Sequence, residues 1–131
     1  MQVSDIKTYL EGRPFPLDIP TDEELEKYMN FSILIIKTFY NIEDSDLQNS
    51  DLIPVVGEEV AYLLENNPYE DVLKFYNYLK KFSVAGAISG EVSEKVIGFL
   101  GTFVKKLMDK LGFVLDVDDS DSTITYTYGI F

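Results

Sequence analysis

The side chains best equipped for chemistry in this sequence are carboxylates, and they fall into two clusters. Residues 22–26 offer candidate general acids and bases, and residues 116–121 offer oxygen ligands for a divalent cation. Histidine and cysteine are absent, and Arg13 is the only arginine. The usual base near neutral pH and the readiest nucleophile are therefore missing, and the bidentate anion clamp occurs once. A chain with these residues more often binds or assembles than catalyses, and we predict that it is not an enzyme.

Neither cluster has the pattern that metal binding or catalysis needs. Aligned as an EF-hand from Asp116, the second cluster has Asp121 where the loop requires glycine and Thr127 where it requires glutamate. We therefore interpret it as a solvated acidic turn and predict no metal. In the first cluster, no neighbouring group would separate two carboxylate pKa values into an acid and a base. Its residues are typical of a helix N-terminus: Asp22, Glu23, Glu24 and Glu26. Residues 83–90 contain glycine but lack the lysine of a phosphate-binding loop, so we predict no cofactor.

The elements that would position these side chains are mostly helices. Apolar residues recur at three- and four-residue spacing after a capping box at Thr21–Glu24, which predicts a long helix over 22–40. Its apolar surface is wider than one stripe, so we expect it to lie at the centre of the fold. The same reasoning predicts four more helices, at about 3–10, 54–65 with Pro54 at its first position, 68–82, and 91–111. Residues 41–51 read as a polar loop, and the glycines of 83–90 predict a loop or a short strand.

The predicted fold class is mainly α, a single-domain helical bundle of about five helices with a short C-terminal β strand or hairpin. Residues 1–112 would form the helical domain, and residues 113–131 an acidic turn and C-terminal strand or tail. Hydrophobic residues make up 46% of the 131 residues, enough for a real core. The longest apolar run, at 31–36, is far too short to span a membrane, and no leader pattern opens the chain. We therefore expect a soluble protein that does not act at a membrane.

The C-terminal segment is the most suggestive interaction element. Residues 123–131 alternate threonine with apolar and aromatic side chains, which is typical of a strand. A strand needs a partner edge, which would come from residues 83–90 or 113–117 of the same chain, or from a neighbouring subunit. The candidate contact residues are Ile124, Tyr126, Tyr128, Ile130 and Phe131.

Charge is distributed unevenly along the chain, whose net charge is −12. Residues 1–68 hold four Lys or Arg against fourteen Asp or Glu, residues 69–112 hold seven lysines against five acids, and residues 113–131 hold four aspartates and no base. Such separation suits head-to-tail contact between identical subunits, although simple solubility explains it equally well. The lysines that would meet a neighbour's acidic surface are Lys105, Lys106 and Lys110. Duplex nucleic acid is not expected as the main ligand, because it demands a basic footprint.

The order of elements resembles the small helical head–tail connector (adaptor) proteins of tailed phages. The similar segments are a short opening helix at Val3–Leu10, an acidic start to a long helix at Thr21–Tyr40, a proline-led helix at Ile53–Leu64, and a Ser/Gly-rich segment at Phe82–Gly90. The resemblance covers roughly residues 3–90. It implies a ring of identical subunits beneath a portal, with termini that dock onto neighbours, no enzymatic activity, and a location in the virion or the host cytoplasm.

Together these observations predict a non-enzymatic structural or assembly protein, specifically a viral head–tail connector. The alternative is a small acidic phage- or virus-encoded inhibitor or decoy, whose carboxylates would imitate nucleic-acid phosphates and bind a basic target. The two hypotheses differ in their response to salt, which weakens charge-driven binding more than assembly through a strand and aromatic side chains.

Overall fold

Every regular element in the described part of the chain is helical. The computed structural model describes residues 1–40, 42–85 and 98–113. These ranges contain no strand and form five α-helices and one 3-10 helix: α1 (Val3–Glu11), α2 (Asp22–Tyr40), the 3-10 helix (Asp44–Gln48), α3 (Leu52–Asn66), α4 (Tyr69–Ala85) and α5 (Thr102–Lys110). The mainly α fold class is therefore confirmed. The predicted C-terminal strand or hairpin lies outside the described residues.

Helix α2 occupies the central position that its wide apolar surface predicts. It begins where expected, with the Thr21 hydroxyl oxygen accepting the Glu24 N–H at 3.4 Å. It packs against α1, α3 and α4, and side chains on several of its faces are buried, including Leu25, Phe31 and Ile35. The buried apolar residues of all five helices form one cluster, to which α5 contributes Val104 and Met108.

Helices α3 and α4 differ from the predictions at their ends. Helix α3 begins at Leu52, so Pro54 is its third residue and not its first. Proline is tolerated there because the first N–H groups of a helix have no intrahelical partner. Helix α4 continues to Ala85, so the prediction of a loop or strand from residue 83 is wrong for residues 83–85. The loop predicted over 41–51 contains the 3-10 helix.

The single helix predicted over 91–111 is also wrong, because the chain makes a turn at residues 98–100 and α5 starts only at Thr102. The physical reason lies at Gly101, whose backbone is extended (φ −68°, ψ 143°). Its N–H donates to the Glu59 carboxylate and not to a helical carbonyl. An apolar repeat that continues on both sides of this turn cannot reveal a break caused by a residue 42 positions away.

The C-terminal end of α5 has a complete capping motif. Gly112 adopts a positive φ of 89°, and its N–H donates to the Asp109 carbonyl at 3.0 Å. The N–H of Phe113 donates to the Met108 carbonyl at 3.0 Å. These two bonds define a Schellman motif, in which glycine is favoured because it adopts the left-handed conformation without strain. Gly112 therefore ends α5.

Candidate functional site

The turn before α5 is fastened to α3 by two side chains. Tyr62 donates its hydroxyl to the Gly98 carbonyl at 3.1 Å, and Glu59 Oε1 accepts the Gly101 N–H at 2.9 Å. A Cβ on Gly101 would lie only 3.2 Å from Cγ of Tyr62, so glycine permits this close approach of the turn to α3. The position of α5 therefore depends on contacts made by α3.

Glu59 is the most unusual polar residue of the core, since its side chain is 0% exposed. Its Oε2 has no hydrogen-bond partner among the described residues. Burial raises the pKa of this carboxyl well above its ordinary value, opposed by the Gly101 N–H and by the positive charge of Lys105. Burial therefore favours the neutral acid. Because Glu59 has no exposed surface, it can contact no substrate from solvent in this conformation, and its visible role is to hold the turn.

A second polar cluster joins α3 to the segment that follows α1. Arg13 donates to both oxygens of Glu58, from Nε at 3.0 Å and from Nη2 at 3.2 Å, and Tyr9 donates its hydroxyl to the same carboxylate. Arg13 Nη1 lies 3.7 Å from Glu65 Oε1. The bond to Glu58 raises the pKa of Arg13, and burial, aided by Glu58, raises the pKa of Tyr9 to about 12. Both donors therefore stay protonated near neutral pH, and the cluster acts as a clamp.

A cleft of about 140 Å³ separates this clamp from the start of α5. Arg13, Glu58 and Glu65 line one part of it, and Gly101–Val104 line another. Carboxylates outnumber the single guanidinium here, so the cleft does not offer a net positive site for an anion. The segment that follows α1 and the first turn of α5 instead lie beside each other across this cleft.

The outer surface of α5 combines apolar and basic side chains, and we call it the α5 face: Phe103, Lys106 and Lys110. Phe103 is 55% exposed, and both lysines are exposed. Asp109 is also exposed on this helix, so the helix keeps an excess of positive charge. Within the described residues, neither Lys106 nor Lys110 forms an ion pair. An exposed phenylalanine beside two exposed lysines makes the α5 face a candidate interaction surface.

The three lysines predicted to act together occupy different environments. Lys106 and Lys110 lie on the α5 face, whereas Lys105 is half-buried. Burial lowers the pKa of Lys105, and the nearby Glu59 opposes that shift. Lys105 therefore belongs to the electrostatic environment of the buried carboxyl. The predicted strand contacts, at residues 124–131, lie outside the described residues.

A groove of about 360 Å³ lies between α1 and the first turns of α2, and we call it the acidic groove. Val3, Ser4 and Lys7 line it from α1, and Asp22, Glu23 and Glu26 line it from α2. Lys7 pairs with Asp22 at 3.2 Å, whereas Glu23 and Glu26 are exposed and have no ion-pair partner among the described residues. The carboxylates interpreted as a helix N-terminus do begin α2 and also form an acidic surface.

The sequence analysis did not predict that two carboxyl side chains of α3, Glu58 and Glu59, hold other segments of the chain, although the sequence contains a signal for each. Glu59 lies four residues after Val55 and four before Leu63, on the buried stripe of α3, where a carboxyl requires a partner. The signal for Glu58 is Arg13, which is the only arginine, lies two residues after the end of α1, and is a natural partner for a carboxylate. What the sequence could not supply is the identity of either partner, because the contacts join distant parts of the chain.

The described residues contain no group of three or more acidic side chains placed to hold a metal ion. None of the described helices is long and apolar enough to cross a membrane. No protein-family model, curated protein or solved structure matches this chain.

Proposed function

We propose that this chain is a non-enzymatic assembly protein that associates with copies of itself. Its specific form would be a head–tail connector of a tailed phage, in which identical subunits form a ring against a portal in the virion or host cytoplasm. The observation that carries the proposal is the division of exposed charge. Lys106 and Lys110 lie beside exposed Phe103 on α5, whereas Glu23 and Glu26 are exposed at the start of α2.

Two different, complementary surfaces on one chain support head-to-tail association. Such a contact leaves one free surface of each kind at the ends of a growing assembly, and a ring closes when the two ends meet. A two-fold dimer, in contrast, needs a single surface that complements itself. The C-terminal residues Ile124, Tyr126, Tyr128, Ile130 and Phe131 are proposed as a further contact with a neighbouring subunit.

A structural role is also supported by the use of the buried polar groups. Glu59 and Tyr62 hold the turn before α5, and Tyr9 and Arg13 share the Glu58 carboxylate. Each of these side chains makes at least one hydrogen bond within the fold, and these bonds fix its segments relative to one another. Their arrangement suits a chain whose surfaces must be presented in a defined orientation.

The proposal is tested by the native mass of the full-length chain beside a version that ends at Ser122, each in low and high salt. We expect a discrete oligomer larger than a dimer. Loss of the oligomer on truncation, with tolerance of salt, would assign the contact to the C-terminal segment. Loss with salt alone would assign it to the charged surfaces. A monomer under every condition, with or without a portal protein, would overturn the proposal.

The acidic inhibitor or decoy is a second candidate, favoured by the net charge of −12 and by Glu23 and Glu26, which have no ion-pair partner in the described part of the chain. Its signature would be a monomer that binds a basic nucleic-acid-binding protein, for which a histone is a convenient probe. Affinity should then fall steeply as salt rises, because the contact would be almost entirely between exposed charges. Weak binding that does not respond to salt would rule this candidate out.

A further inference from the structure

We propose that the α5 face of one subunit seats in the acidic groove of the next, so that Lys106 and Lys110 meet Glu23 and Glu26 while Phe103 packs at the edge of the groove. This inference rests on the proposed self-association and names the two surfaces that make it. The occupant of the groove is thus a second copy of this chain. The contact joins two different surfaces, built from different helices, as head-to-tail association requires.

The spacing of the charges on the two surfaces is compatible. Lys106 and Lys110 are four residues apart on α5, which places them about one helical turn, or ~6 Å, from each other. Glu23 and Glu26 are three residues apart on α2, also close to one turn. Two pairs of opposite charge can therefore form at once when the helices lie side by side. Neither pair has an ion-pair partner within the described residues of its own chain.

Apolar contact accompanies the charges on both surfaces. Phe103 lies three residues before Lys106 on the same side of α5 and is 55% exposed. The acidic groove is partly lined by Val3 and has a volume of about 360 Å³. An aromatic side chain removed from water contributes more to association than an exposed ion pair does. In this arrangement the charges select the partner surface, and burial of Phe103 stabilises the contact.

Part of each surface is already held by contacts within its own subunit. The α5 face follows the turn that Glu59 and Tyr62 fasten to α3. In the acidic groove, Lys7 already pairs with Asp22 at 3.2 Å. A preformed surface loses less conformational freedom on association than a mobile one. Glu23 and Glu26 are therefore left as the groove's available carboxylates.

The experiment measures self-association of full-length charge-reversal variants by native mass and sedimentation. Lys106→Glu with Lys110→Glu reverses the α5 face, and Glu23→Lys with Glu26→Lys reverses the acidic groove. Each double variant alone should associate at least about tenfold more weakly than the wild type, because like charges would face each other. An equimolar mixture of the two should regain the oligomer, since each reversed surface then meets a complementary one. A chain carrying all four substitutions should also assemble.

Matched control variants separate this contact from a general effect of charge. Lys37→Glu with Lys74→Glu, at positions outside both surfaces, changes the net charge as the α5 reversal does and should keep the oligomer. Glu70→Lys with Asp71→Lys reverses two exposed acids in the first turn of α4. This control places positive charge at a helix N-terminus, as the groove reversal does, and it should keep the oligomer.

Far-UV circular dichroism and thermal unfolding show whether each variant is folded. If one reversal does not fold, the neutral pairs Lys106→Gln with Lys110→Gln and Glu23→Gln with Glu26→Gln replace the reversals, and each should weaken assembly.

The outcomes distinguish this inference from the proposed function. A wild-type chain that is monomeric overturns the proposed function. An oligomer that survives both reversals, or a mixture that fails to restore assembly while the controls assemble, overturns the inference alone. Removal of residues 114–131 should leave the effect of the reversals unchanged. If that removal abolishes an oligomer that the reversals leave intact, the C-terminal segment makes the contact and the α5 face does not.

Discussion

Replacement of Glu59 by glutamine should stabilise the protein at neutral pH and make its stability less dependent on pH. The amide oxygen of Glu59→Gln can still accept the Gly101 N–H, which Glu59 accepts at 2.9 Å, while the ionisable group is removed. The second side-chain atom stays buried without a partner among the described residues, as Oε2 is in the wild type. The substitution therefore isolates the free-energy cost of burying an acid.

The sign follows from the number of protons that each state binds. Below the unfolded-state pKa of about 4.3, both states of the wild type carry the proton, and ionisation contributes no difference. Burial raises the pKa of Glu59 in the folded state, so above pH ~4.3 the unfolded state loses its proton while the folded state keeps it. The free energy of unfolding then falls by up to ~1.4 kcal/mol per pH unit. The loss ends once the pH exceeds the folded-state pKa.

The assay is urea denaturation of wild type and Glu59→Gln at intervals from pH 4 to 9. Their difference in free energy of unfolding should be smallest near pH 4 and should grow in favour of glutamine as the pH rises. Tyr40 from α2 and Lys105 from α5 interact with the charge of Glu59, and while that carboxyl is neutral this interaction is absent from both folded proteins. Glu11→Gln, at an exposed position that ends α1, should change stability by less than about 0.5 kcal/mol. A difference that is constant with pH, or that turns against glutamine, would refute the reasoning.

Three substitutions test other contacts by the free energy of unfolding in urea. Gly57→Ala should cost ~1–3 kcal/mol, because its Cβ would overlap the ring of Tyr9. Gly12→Ala, whose Cβ comes no closer than 3.6 Å to another group, is the control, and equal stability of the two variants would contradict the packing of α1 on α3. Arg13→Lys should cost at least about 1 kcal/mol, because lysine lacks the planar guanidinium that donates from two nitrogens to the two Glu58 oxygens, whereas Lys27→Arg should be neutral. Gly112→Ala should cost ~1 kcal/mol through its positive φ of 89°, and Gly112→Asn should cost less; the reverse order would contradict the capping motif.

Local signals were sufficient to predict most of the helices. The bounds of α1 and α2 follow from the three- and four-residue spacing of apolar side chains and from the caps at Thr21 and Gly12, which act within one helical turn. The central place of α2 follows from the width of its apolar surface. These features depend only on neighbouring residues, and the sequence displays them directly.

The break before α5 could not be predicted in the same way. The apolar repeat of residues 92–111 continues across it, and the local signals against a continuous helix are Gly98 and Gly101, because glycine is unfavourable inside a helix. The Glu59 side chain accepts the N–H that a continuous helix would have used. Such a bond depends on the tertiary position of α3, which periodicity does not report. The candidate site was predicted only in part, for the same reason. Lys106 and Lys110 could be identified by their residue type, but the contacts of Glu59 and Tyr62 that orient α5 could not.

Helix α3 positions both proposed contact surfaces, because its adjacent residues Glu58 and Glu59 bind the segments that lie next to the acidic groove and the α5 face. Glu58 binds Tyr9 of α1 and Arg13, which lies just after α1. Glu59 and Tyr62 fix the turn before α5. Removal of an anchor should therefore weaken assembly without any change of charge. Tyr62→Phe removes the bond to the Gly98 carbonyl and keeps the ring. We expect faster amide hydrogen exchange in α5 than in the wild type, unchanged exchange in α2, and weaker self-association. Faster exchange in α5 with undiminished assembly would show that the anchor does not set the orientation of the α5 face.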